Sequence, residues 1–70
     1  MKVEIVGEFI KLSQFLKKIK IIDSGGEAKN FLLRHEVTIN GQKSESRGSK
    51  IKIGDVVWVD KEVYYIIAAE

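Results

Sequence analysis

Cysteine is absent from this chain, and histidine occurs once. Without thiols there is neither a disulfide framework nor a thiolate metal site, and His35 alone cannot anchor a usual zinc centre. The chain therefore folds on packing alone, which is compatible with a reducing compartment. A long apolar run is also missing: no window approaches the roughly 18 residues of a membrane span, and Met1-Lys2-Val3-Glu4 lacks the apolar core of a signal peptide. There are no internal repeats and no low-complexity tracts, and 70 residues leave room for one small domain with a compact core. The expectation is a soluble, cytoplasmic single domain over residues 1–70, with no membrane contact, no metal and no cofactor.

What is present is an uneven charge distribution. The net charge is only +2. Phe9 to Lys52 nevertheless carries ten basic residues against four acidic, whereas the flanks carry two basic against six acidic. A basic middle with acidic edges predicts one positive face suited to a polyanion. A solvated charged surface with no partner is the competing reading.

Lys2 to Val6 alternates and predicts a short strand ending at Gly7. From Leu12 the period changes. Leu12, Phe15, Leu16 and Ile19 define one apolar face of a helix that starts at Lys11 or Ser13, within an apolar run reaching Ile22, with Ile21 and Ile22 expected in the core. Lys11, Gln14 and Lys18 lie along one side of that helix, and Lys17 is also outside its apolar face. The chain then turns at Asp23, and a second helix is predicted from about Gly25 to His35, with Ala28, Phe31 and Leu32 facing inward. Its start carries a capping-box pattern: Ser24 as N-cap and Glu27 three residues on. Gly25 and Gly26 leave that start bare, either to let the two helices approach or to let an anion reach backbone N–H groups. His35 is expected to make a dipole contact at the helix C-terminus.

Asn40-Gly41 between short alternating runs predicts a type I′ hairpin over Val37 to Lys43. Ser44 to Lys50 is polar and reads as an exposed loop in which Arg47 can grip a phosphate with two parallel hydrogen bonds and Lys50 cannot. Ile51 and Ile53 are expected to return to the core. Turns at Gly54-Asp55 and Asp60-Lys61 then frame a terminal hairpin of Val56 to Val59 and Val63 to Ile67. Trp58, Tyr64 and Tyr65 can be read as a base-stacking platform. The acidic local charge and the small core favour placing them inside.

Taken in order, Lys11-Leu12-Ser13-Gln14-Phe15-Leu16-Lys17, Asp23-Ser24-Gly25-Gly26-Glu27-Ala28-Lys29, Val37-Thr38-Ile39-Asn40-Gly41, Arg47-Gly48-Ser49-Lys50 and Ile53-Gly54-Asp55-Val56-Val57 resemble the S4 RNA-binding domain over about residues 10–59. The chain is most similar to the small bacterial proteins that consist of a single S4 domain. In these, Ser-Gly-Gly-Glu-Ala-Lys replaces the Ser-Arg-Ser type of turn. The resemblance implies an α+β fold with the αL motif, a helix-turn-helix pair packed on a small twisted antiparallel sheet. It also implies structured RNA as the partner, ribosomal or ribosome-associated. The RNA-binding residues it implies are Lys11, Gln14 and Lys17, then Ser24, Gly25, Gly26 and Lys29, then Lys43, Arg47 and Lys50; Lys18 joins them from the charge pattern. Where other S4 domains place arginine at the turn, Gly25 offers only backbone.

Ser13, Asp23, Ser24 and His35 form no catalytic motif at a known spacing, so no enzymatic activity is expected. A protein-interaction adaptor docking through the sheet and terminal hairpin is the alternative class.

Overall fold

The computed structural model describes residues 1–69. Its elements are β1 (Lys2–Ile5), β2 (Phe9–Lys11), α1 (Leu12–Lys18), a 3₁₀ turn (Gly25–Glu27) running into α2 (Ala28–Arg34), β3 (Val37–Ile39), β4 (Gln42–Lys43), β5 (Lys50–Lys52), β6 (Val56–Val59) and β7 (Glu62–Ala68). The main sheet has strand order β1-β7-β6-β3-β4, and β2 and β5 form a separate two-stranded ribbon. The expected helix pair on a small sheet is therefore present. The antiparallel part of the sheet runs from β4 to β7, and β1 joins β7 in parallel, Val3 opposite Ile66. A parallel pair needs a long crossover, here the whole helical middle of the chain, so no local pattern could announce it.

The core follows from the two periods. Leu12, Phe15 and Leu16 from α1 and Ala28 and Leu32 from α2 pack on Val3 and Ile5, Val57 and Val59, and Tyr64 and Ile66, all buried. The Phe15 and Tyr64 rings meet edge to face, 5.5 Å between centroids and 85° between planes. That geometry suits the ring quadrupoles, and burying Phe15 contributes about 2–3 kcal/mol. Burial also raises the Tyr64 phenol pKa above its ordinary value, with Glu62 adding to the effect.

Several sequence expectations are corrected. The first helix ends at Lys18, short of the apolar run's limit at Ile22, because Lys20 adopts a left-handed conformation (φ 63°). The Ile21 N–H donates to the Leu16 carbonyl at 3.0 Å and the Lys20 N–H to the Lys17 carbonyl at 3.0 Å. This is the Schellman pattern of a helix stop, with lysine in the position glycine usually takes. As a result Ile22 is buried but Ile21 is exposed. Ile53 is exposed as well, since β5 stops at Lys52 and the chain turns through Gly54 at φ 94°.

Trp58 and Tyr65, expected inside, are 43% and 48% exposed. Alternation explains this: with Val57, Val59, Tyr64 and Ile66 facing the core, Trp58 and Tyr65 must face away. Only Tyr64 of the three aromatics is internal.

Two polar clusters hold the turns. Asn40 and Gly41 have φ of 52° and 85°, the left-handed pair that a type I′ turn requires. Asn40 then ties this turn to β6, donating from Nδ2 to Asp55 Oδ1 at 3.0 Å and accepting from the Val56 N–H at 2.9 Å. At the end of α2, His35 does more than sit near a helix dipole. Its ring stacks on Phe31, 4.2 Å between centroids, and its Nδ1 lies 2.7 Å from Asp60 Oδ2. The Glu36 N–H donates to Asp60 Oδ1 at 3.0 Å. These two bonds, the backbone one first, hold the Asp60 carboxyl pKa below its ordinary value.

Candidate nucleic-acid interface

The loop between β4 and β5 is folded against the start of α1. An α-helix leaves its first N–H groups without internal partners. Here the Leu12 N–H donates to the Ser49 carbonyl at 2.8 Å and the Ser13 N–H to the Arg47 carbonyl at 2.9 Å. Gln14 closes the same end, its Oε1 accepting from the Lys11 N–H at 3.1 Å. Inside the loop, Ser44 and Ser49 share a hydroxyl hydrogen bond of 2.7 Å, and the Ser49 N–H donates to the Ser46 carbonyl at 3.1 Å. The Arg47 backbone is thereby held at Ser13, with its side chain exposed, and the loop is better ordered by hydrogen bonds than its polar composition suggested.

The ribbon extends this surface. Lys11 pairs with Lys50, Ile10 with Ile51 and Phe9 with Lys52. Because opposite residues of an antiparallel pair share a face, Ile10 and Ile51 turn to the core while Phe9, Lys11, Lys50 and Lys52 turn to solvent. The Lys50 ammonium sits 4.8 Å from the Phe9 ring centroid. Among the described residues the ion pairs are His35–Asp60 and Lys43–Glu45, so none of the three ribbon lysines is neutralised.

Like charges set side by side without counterions are unfavourable, and a polyanion relieves them.

The remaining candidates surround this centre. Lys43, 3.6 Å from Glu45 in an exposed pair, lines one cleft with Lys50 and Lys52 and a second with Lys29. A surface pair of that kind holds Lys43 only weakly. Gln14, Lys17 and Lys18 line a notch together with Phe9. Lys17 and Lys18 stand in the last turn of α1, where the helix dipole favours cations.

The 3₁₀ turn Gly25–Glu27 packs against α1. Glu27 closes it: its carboxylate accepts from the Ser24 N–H at 3.1 Å and also from the Asp23 N–H. A Cβ added at Gly25 would meet nothing within 4 Å, and one at Gly26 only the Ser24 hydroxyl at 4.0 Å. Neither glycine is therefore required by helix packing, which removes one of the two readings of this turn.

Two residues of the basic surface were missed, Lys52 and Phe9. Their signal was present as the paired alternations Phe9-Ile10-Lys11 and Lys50-Ile51-Lys52, each with an isoleucine between solvent-facing positions. Among the described residues no cluster of three or more histidine, cysteine or carboxylate side chains is arranged to hold a metal ion. Among the same residues no helix is long and apolar enough to cross a membrane.

A helix pair on a small sheet, with a capped Ser-Gly-Gly-Glu turn and an arginine-bearing loop seated on the first helix, defines an S4-type domain. A sequence model of the S4 domain matches residues 3–67, and the chain belongs to that family. It is 49% identical over 53 residues to RlbA of Bacillus subtilis (strain 168), described as a probable ribosome maturation protein. That match covers 76% of this chain and 75% of the relative.

Proposed function

We propose that this chain is a single S4-like unit that binds structured RNA without catalysing a reaction. The RNA is ribosomal or ribosome-associated, and the protein works in the cytoplasm with the ribosome or its precursors. The similarity to a probable ribosome maturation protein supports the ribosomal setting. The observation that carries the reading is the seating of the 44–49 loop on α1, which joins Arg47 to the Lys11–Lys50 ribbon pair. Among the described residues Lys11, Lys50 and Lys52 have no carboxylate partner, which supports an anionic ligand at this ribbon.

A-form RNA hides its base edges in a deep groove, so a small rigid basic surface addresses phosphates, 2′-hydroxyls and shape. Lys11, Lys17, Lys18, Lys29, Lys43, Arg47 and Lys50 supply the charge. Gln14 and Ser24 supply neutral hydrogen bonds, and Gly25 and Gly26 let backbone come close. Each phosphate neutralised releases counterions, so affinity falls steeply with salt.

Arg47→Glu combined with Lys50→Glu is expected to weaken binding to a structured ribosomal RNA fragment by about a hundredfold, with circular dichroism and melting unchanged. An unaltered gel shift with this variant would end the assignment of this surface to RNA.

The exposed Trp58 and Tyr65, with half-buried Val56, Val63 and Ile67 beside them, favour a second reading, a protein partner on the outer sheet face. Loss of a co-purifying ribosomal protein on Trp58→Ser, with RNA binding intact, distinguishes it.

A further inference from the structure

The notch between the β1–β2 connection and α1 combines exposed apolar side chains with cations. Four of its lining residues are apolar: buried Ile5, half-buried Ile10, and Val6 and Phe9, which are 85% and 41% exposed. Its other lining residues are Gln14, Lys17 and Lys18, and among the described residues no carboxylate lines it. Phe9 also belongs to the ribbon face, where Lys50 stands over its ring. The notch is therefore continuous with the basic surface.

We propose that this notch receives one unpaired nucleotide of the bound RNA, a deepening that rests on the RNA reading above. A nucleotide matches both surfaces at once, since its base is flat and weakly polar and its linkage is anionic. The base packs against Phe9 and Val6, and Lys17 and Lys18 hold the flanking phosphates. Aromatic stacking of this kind tolerates any base, because every base has a π-face. Gln14 adds a preference. Its amide oxygen is engaged by the Lys11 N–H at 3.1 Å, so what it offers a ligand is its –NH₂, a donor to ring nitrogens or carbonyls. The RNA favoured is thus a helix interrupted by a bulged nucleotide, not a continuous duplex.

The test uses the full chain and two hairpin RNAs, one fully paired and one with a single unpaired 2-aminopurine in its stem. The bulged RNA is expected to bind about tenfold more tightly, and its fluorescence is expected to be quenched on binding. Phe9→Thr, which puts a β-branched strand former at this position, is expected to erase that preference by weakening the bulged RNA about tenfold more than the paired hairpin. Phe9→Tyr is expected to restore it. Equal affinity of the wild-type protein for both RNAs, or a preference that survives Phe9→Thr, overturns the nucleotide pocket while RNA binding stands, and leaves the notch to a different occupant such as an acidic peptide. Equal loss on both RNAs with Phe9→Thr overturns it too, by making Phe9 a general contact. Binding of neither RNA removes the RNA reading itself. The fluorescence readout needs no variant, so it decides the matter even if Phe9→Thr does not fold.

Discussion

At the start of α1, the N–H groups of Leu12 and Ser13 donate to carbonyls of Ser49 and Arg47, which come from a different part of the chain. At the start of the second helical segment, the N–H groups of Asp23 and Ser24 donate to the carboxylate of Glu27, a few residues away. Both ends obey the same requirement, that helix-terminal donors find acceptors. The first is closed by backbone from a distant loop, so closing it also positions that loop's arginine. The second is closed by its own neighbour, and the glycines between stay uncovered. One helix start thus organises side-chain charge, and the other leaves backbone within reach.

This contrast can be broken most severely at the first start. Ser44→Ala with Ser49→Ala removes the hydroxyl bond that holds the loop in shape and is expected to cost about 1 kcal/mol. RNA affinity should fall about tenfold as well, since Arg47 loses its seat. Stability falling with affinity intact, measured by melting and by fluorescence anisotropy, would separate the loop from binding.

At the second start, Glu27→Ala is expected to cost about 1 kcal/mol by leaving the Asp23 and Ser24 donors without their acceptor. It also removes a negative charge beside a surface assigned to phosphates, so RNA affinity should hold or rise. A parallel loss of both would mean that the capped geometry itself is required for binding.

The smallest effect is the most discriminating. Gly26→Ala fits without a clash and reduces the freedom of the unfolded chain, so melting should rise by the equivalent of about 0.5 kcal/mol. RNA affinity should fall severalfold, because a methyl group then stands between backbone and phosphate. Affinity rising with stability would leave Gly26 without a role in binding.

The same contrast explains what was legible beforehand. The Glu27 cap, the Asn40-Gly41 turn and the inward faces of both helices depend on residues a few positions apart, and all three were read correctly. Phe9 and Lys52 were not found, because their placement depends on the pairing of β2 with β5. Trp58 and Tyr65 were misplaced for a different reason. Alternation along β6 and β7 fixes that they oppose Val57 and Tyr64, but not which face the helices cover. Ile21 was misplaced because a lysine, Lys20, adopts the left-handed conformation that ends α1, and lysine gives no warning of it.

By itself the sequence determined the helical and strand periods, the local caps and turns, the family, and the surplus of cations between Phe9 and Lys52. These rest on interactions within a few residues, or on motif order. The tertiary structure decided that β1 lies parallel to β7, that loop carbonyls close α1, that Lys11 faces Lys50, and that Trp58 and Tyr65 are exposed on the outer sheet face. Each of these joins segments far apart in the chain, and which segments meet is settled by how the whole core packs.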